Sequence, residues 1–182
     1  MSRIANAVDK MQLLLNELLE LSRVGRITNP PEIVPFGEIV QETVDLLSGP
    51  LEAGNIHLEM MEEFPVVYVD KLRVSEVMQN LVSNAIKFMG DQSRPIIEIG
   101  WQGTDADGKP IFYVRDNGMG IDPKYHERIF GLFNRLDPNI EGTGIGLTLV
   151  KRIIEIHGGR IWIDSGSGKG TTFLFTLPAP GK

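Results

Sequence analysis

Apolar residues recur at helical spacing along the start of the chain. Ile4, Val8, Met11, Leu15 and Leu18 are separated by 4, 3, 4 and 3 residues, the stripe of a coiled coil or helical bundle. Leu14 and Leu21 widen that stripe, so residues 2–24 read as one helix with more than one neighbour. A helix this apolar is expected to pair with another chain or a further segment, since it would be poorly placed alone in water; packing on the chain's own globular part is the alternative. Gly25 and Thr28-Asn29-Pro30-Pro31 then break the pattern. The expected division is a helical segment over 1–28, a linker over 29–35 and a globular domain over 36–179.

Past the linker the pattern alternates between helical and strand periods. Glu38–Leu47 reads as a short amphipathic helix, and Ile56–Met60 and Val66–Val69 read as strands. Asp70 is placed to cap a long helix running to about Phe88. Ile96–Gln102 and Ile111–Arg115 form an expected hairpin around Asp105-Ala106-Asp107-Gly108. Residues 116–143, rich in Gly, Pro, Asn and Asp, read as a long loop with a short helix begun at Pro123. A helix from about Gly144 to His157 stops at Gly158-Gly159, and Arg160–Asp164 and Thr172–Leu177 close the chain as a strand pair. Mixed helices and strands of this kind predict an α+β fold.

Composition removes several kinds of chemistry. The 182 residues include no cysteine, which excludes disulfides, thiolate metal sites and a cysteine nucleophile. The formal charge of −6, with no basic run, argues against nucleic acid as a partner. No apolar run approaches the roughly 18 residues of a membrane span, and no signal-peptide pattern opens the chain. A cytoplasmic segment with no direct membrane contact is expected, any anchor of a longer parent lying elsewhere.

Three stretches carry candidate chemistry. On the helix after Asp70, Glu76, Asn80, Asn84 and Lys87 fall within about 80° of one another, with Arg73 and Ser83 on the same stripe. Val74, Val77, Met78, Leu81, Val82 and Ala85 take the opposite, core face. Asparagine is a poor interior helix former, so two of them one turn apart break a local rule, as functional sites do. An amide carbonyl can ligate Mg²⁺ and a lysine one turn on can meet phosphate, although the stripe alone is equally compatible with chance. Asp116-Asn117-Gly118-Met119-Gly120-Ile121 follows a strand. Its glycines let backbone approach a flat ligand, and its carboxylate can accept from an exocyclic amine such as adenine's; a plain Asx turn is the competing reading. Gly142-Thr143-Gly144-Ile145-Gly146-Leu147 opens a helix, where unsatisfied N–H groups and the dipole favour phosphate. Gly166-Ser167-Gly168-Lys169-Gly170-Thr171 is only superficially a P-loop, because Lys169 is followed by Gly and then a strand.

In this order, the three stretches resemble the ATP-binding domain of sensor histidine kinases. That domain has the Bergerat fold shared with type II topoisomerases, mismatch-repair ATPases and a heat-shock chaperone. Glu76…Asn80-Leu81…Asn84-Ala85…Lys87-Phe88 looks like its N box, and Asp116-x-Gly118-x-Gly120 like its first glycine box. Ile129-Phe130-Gly131-Leu132-Phe133-Asn134-Arg135 looks like its F box, which favours histidine kinases over the other branches. Gly142-x-Gly144-x-Gly146-Leu147 looks like its second glycine box, and Gly170-Thr171-x-Phe173…Leu177-Pro178 like its closing strand.

The resemblance implies a two-layer α/β sandwich, its mixed and mostly antiparallel sheet carrying helices on one face, preceded by a long N-terminal helix. It implies ATP and Mg²⁺ as cofactors. Asn80 would ligate the metal, and Asn84 and Lys87 would contact phosphates. Phe88 would border the base, Asp116 would hold the adenine amine, Thr171 would support it, and Gly118, Gly120 and Ile121 would belong to the nucleotide-binding set. Arg135 and the backbone of Gly142, Thr143, Gly144, Gly146 and Leu147 would meet the terminal phosphates under a lid of residues 122–143. Glu76, Lys87 and Arg135 would carry catalysis. The implied reaction moves the γ-phosphate to a histidine, and onward to an aspartate on a response regulator receiver domain. Residues 2–24 look like the second helix of the family's dimerisation bundle, so a homodimer of the full-length protein and an absent acceptor helix are expected. His57, His126 and His157 lack the acceptor setting and read as structural or surface residues, so this chain alone should not autophosphorylate. The alternatives are a nucleotide-binding regulatory module without transfer, and an ATPase in which Glu76 activates water.

Overall fold

The computed structural model describes residues 3–24, 29–134 and 142–181. Helix α1 (Arg3–Arg23) precedes β1 (Glu32–Pro35), α2 (Phe36–Leu46) and α3 (Ser48–Ala53). Strands β2 (His57–Met60) and β3 (Val66–Val69) lead into α4 (Lys71–Lys87), followed by the hairpin of β4 (Ile96–Thr104) and β5 (Pro110–Asp116). Two 3₁₀ turns, Pro123–Tyr125 and Arg128–Phe130, come before α5 (Gly146–Ile156), β6 (Ile161–Ser165) and β7 (Thr171–Thr176).

Five strands form one sheet in the order β2-β4-β5-β7-β6, and β1 and β3 form a separate antiparallel pair. Only the β2–β4 pairing within the larger sheet is parallel. The register places Ile99 opposite Val114 and Val114 opposite Phe173, while Phe112 lies opposite Phe175. Alternation along the strands therefore sends these five side chains to one face, where all are buried. The buried stripes of α2, α4 and α5 join them in one core cluster, which makes the two-layer sandwich. Phe36 from α2 stacks on Phe112 with centroids 3.9 Å apart, and Phe175 lies 5.6 Å from Phe112 and 6.2 Å from Phe36, closing a cluster of three rings.

Helix α4 begins as its sequence dictates: Asp70 accepts the Arg73 N–H at its N-cap. Its carboxylate also takes the backbone and side-chain N–H groups of Asn29. Helix α2 starts at Phe36, two residues before the expected Glu38, and α3 and β1 were not foreseen. Strand β1 falls within the stretch 29–35 expected as linker. The helix expected at Pro123 is a 3₁₀ turn, and the helix expected from Gly144 starts at Gly146.

Along α1 the apolar stripe stays open. Met11 and Leu15 are 57% and 61% exposed, whereas Leu21 packs on the core cluster and Val24 is buried within it. No helix among the described residues is long and apolar enough to cross a membrane.

Candidate functional site

The end of β5 places Asp116 opposite Thr171 of β7 at the head of a cavity of about 320 Å³. Asp116 is 7% exposed. Its Oδ1 accepts the N–H groups of Gly118 at 2.8 Å and Thr171 at 3.3 Å. No described residue hydrogen-bonds its Oδ2, which leaves one acceptor for a ligand in the cavity that Asp116 lines. Burial pushes the carboxyl up to about 6, against the opposing pull of the two amide bonds. Gly118 makes the turn possible without lining the cavity: a Cβ there would lie 2.5 Å from the Phe88 carbonyl oxygen and 2.9 Å from Met89 Cα.

Helix α4 supplies the facing wall through Asn80, Asn84 and Lys87, continued by Phe88. The Asn80 amide donates its Nδ2–H to the Glu76 carbonyl at 2.8 Å, which leaves Oδ1 as the unused atom. That oxygen abuts Gly146, where a Cβ would come within 2.6 Å of it. Lys87 Nζ lies 5.1 Å from the Phe88 ring centroid and close against Gly142. Gly120 and Ile121 come from the loop after β5, Gly142, Thr143 and Gly144 from the loop leading into α5, and Gly146 and Leu147 from its first turn; all seven line the cavity. The donor set fits Mg²⁺ of the kind bound by one protein oxygen with phosphates and water completing the shell, because Asn80 Oδ1 is unpartnered among the described residues.

Glu76 is not brought to the cavity. Both its oxygens lie 2.9 Å from Arg73 Nη1, one turn before Asn80. Arg135 lies outside the described residues, as does the 135–141 part of the lid expected over 122–143. Residues that sequence reasoning did not single out as ligand-facing also line the cavity. Ser83 was legible on the polar stripe, Met119 sits inside the first glycine box, Ile129 opens the F-box stretch and Phe173 belongs to the closing-strand motif, but none of the four carried a ligand role. Leu13 and Glu17 of α1 reach the same cavity, and Glu17 accepts the Thr143 hydroxyl. A contact across 126 residues leaves no local signal. A wider, shallower hollow of about 530 Å³ is lined by Glu98, Arg115 and Asp164, with the Glu98–Arg115 ion pair at 3.0 Å; it takes in Asp116 and Gly170 but no residue of the N box.

The histidines divide as expected between surface and structure. His57 is exposed on β2. His126 Nε2 lies 3.2 Å from the Ile121 carbonyl. His157 Nε2 accepts the Asp70 N–H at 3.1 Å and its Nδ1 donates to the Ile153 carbonyl at 2.7 Å, so both ring nitrogens are used.

Comparison with known proteins matches residues 69–181 to the family described as histidine kinase-, DNA gyrase B- and HSP90-like ATPase. The chain belongs to that family, on its sensor histidine kinase branch. The methanogenesis regulatory histidine kinase FilI of Methanothrix harundinacea is 52% identical over 180 residues, covering 99% of this chain and 20% of that protein. The chain thus spans about a fifth of that relative's length. Full-length histidine kinase ShkA, solved in complex with AMPPNP, superposes with a TM-score of 0.81 at 25% identity, over 95% of this chain and 36% of that one. Histidine kinase ThkA in complex with the response regulator TrrA superposes at 0.76 and 28% identity, over 96% of this chain and 49% of that one. The histidine kinase ATP-binding domain is therefore present with its sandwich fold, and residues from α4, the loop after β5, the start of α5 and β7 line one cavity.

Proposed function

We infer that this segment binds Mg·ATP and donates its γ-phosphate to a histidine that is none of the three in this chain, for onward transfer to a response-regulator aspartate. The observation that carries this reading is the buried Asp116, whose unpartnered oxygen lines the cavity that Asn80, Lys87 and glycine amides close from the other side. An acceptor fixed in a dry site selects a base edge bearing a donor amine. Thr171 stands beside it, and Phe88 and Ile121 flank the base. Asn84, Lys87 and the N–H groups at the start of α5 neutralise and orient the phosphates, with Arg135 completing that set. Asn80 would hold Mg²⁺, which when bound would supply charge neutralisation at the phosphate oxygens. Phosphoryl transfer needs little more from the protein than this positioning. The N-terminal helix serves dimerisation of the full-length protein, and this segment acts in the cytoplasm with no nucleic-acid or membrane contact of its own.

Titration calorimetry tests the nucleotide assignment: ATP should bind in Mg²⁺ and bind more weakly in EDTA. Incubation with γ-labelled ATP should leave the isolated chain unlabelled. Acid-labile phosphate on His57, His126 or His157 would overturn the placement of the acceptor outside this chain.

A further inference from the structure

Ser165 belongs to none of the motifs, yet it sits directly behind the base-reading wall. It ends β6 and pairs with Thr171 at the start of β7. Three polar groups converge on its hydroxyl: the Ile121 N–H at 2.8 Å, the Gly170 carbonyl at 2.8 Å and Thr171 Oγ1 at 3.2 Å. A hydroxyl owns one proton and two lone pairs. The Gly170 carbonyl can only accept, so it takes the Ser165 proton. The Ile121 N–H can only donate, so it takes one lone pair. The second lone pair is left for Thr171, whose own proton must make that bond.

This arithmetic fixes the polarity of Thr171. With its proton committed to Ser165, Thr171 turns only lone pairs toward the cavity it lines. Asp116 Oδ2, which no described residue hydrogen-bonds, is a second acceptor on the same wall. We propose that Ser165 is a positioning residue for base selectivity, holding Thr171 as an obligate acceptor so that the wall admits a 6-amino purine and rejects a 6-oxo purine. The proposal rests on the nucleotide reading above. A site whose buried groups are built for one hydrogen-bond pattern rejects the analogue with the opposite pattern far more strongly than shape alone could.

The test compares ATP with inosine triphosphate, a 6-oxo purine, by calorimetry on the whole chain. The unaltered chain should favour ATP by on the order of 10³-fold or more. Ser165→Ala frees the Thr171 proton to point into the cavity, and should narrow that ratio about tenfold or more whatever it does to overall affinity. Ser165→Thr keeps the relay and should restore the ratio. Ser165→Cys, a near-isosteric weak donor and acceptor, should shift the ratio in the same direction as alanine and guards against misfolding of the alanine variant. In a Thr171→Val background, Ser165→Ala should leave the ratio unchanged, because no hydroxyl remains to reorient. Equal weakening of both nucleotides by Ser165→Ala and Ser165→Cys, which a merely structural role would produce, overturns the proposal while the nucleotide reading stands. An unaltered chain that binds neither nucleotide overturns both.

Discussion

At the scale of single residues, desolvation sets the properties of Asp116. The folded chain holds its proton more tightly than the unfolded chain, since burial raises the carboxyl from 3.8 to about 6. Stability contributed through this group is therefore present at low pH, declines as pH rises through that interval, and stays lost at neutral pH. Asp116→Asn keeps an acceptor for the Gly118 and Thr171 N–H groups and removes a buried charge. Its nucleotide-free melting temperature should stay level or rise, with a ceiling of about 3 kcal/mol set by the size of the shift. Its affinity for ATP should nevertheless fall about 100-fold or more, because the amide turns a donor toward the donor amine of the base. Calorimetry and thermal melting on the same sample check both halves, and unchanged affinity would sink the nucleotide assignment. A carboxyl-carbon NMR titration gives the direct check: Asp116 should titrate near 6 without ligand, and lower once an amine donates to it.

At the scale of elements, α4 joins fold and site because its two faces answer to different neighbours. Asp70 holds its first turn and ties it to Asn29, while Asn80, Asn84 and Lys87 lie further along at the cavity. Asp70→Ala should destabilise the chain by about 2 kcal/mol, from a lost cap plus the unpaired Asn29 groups, and lower the melting temperature by roughly 4–8 °C. Asp70→Ser, which can still cap, should recover about half of that loss. Affinity for ATP should change less than about threefold in either variant, and a large loss would show that cap and site are coupled. This helix was legible in full because its period, its cap and its polar stripe are local properties of the sequence. Strand β1 was not, since four residues ending in Pro35 carry no period and gain their meaning only from β3, where Ile33 pairs with Tyr68. Helix α3, six residues with Pro50 inside, is likewise too short to show one. The candidate site followed the same division. The stretches on α4, after β5 and at the start of α5 stood out locally and took their expected roles from the family resemblance, whereas the role proposed for Ser165 has no local signal and depends on β6 lying beside Thr171.

At the scale of the whole molecule, α1 is the element whose chemistry the sandwich does not satisfy. Its last turns are anchored, with Val24 buried, while Val8, Met11, Leu15 and Leu18 are 49%, 57%, 61% and 37% exposed. Covering the exposed half of each such side chain contributes about 1 kcal/mol, so a symmetric pair of stripes supplies roughly 8 kcal/mol. Association costs several kcal/mol in lost translation and rotation, about 4 or more, which leaves only a few. Self-association of this chain should therefore be weak, with a dissociation constant of about 1 mM or higher. Sedimentation over a concentration series should show reversible dimers at the upper end. Leu15→Asp combined with Leu18→Asp should abolish them, because the pairing would then bury four unpaired carboxylates across the twofold axis. The same double variant should bind ATP within about threefold of the unaltered chain, since neither leucine lines the cavity. A variant that still dimerises would move the interface off this stripe, and one that loses ATP binding would show that α1 supports the cavity as well.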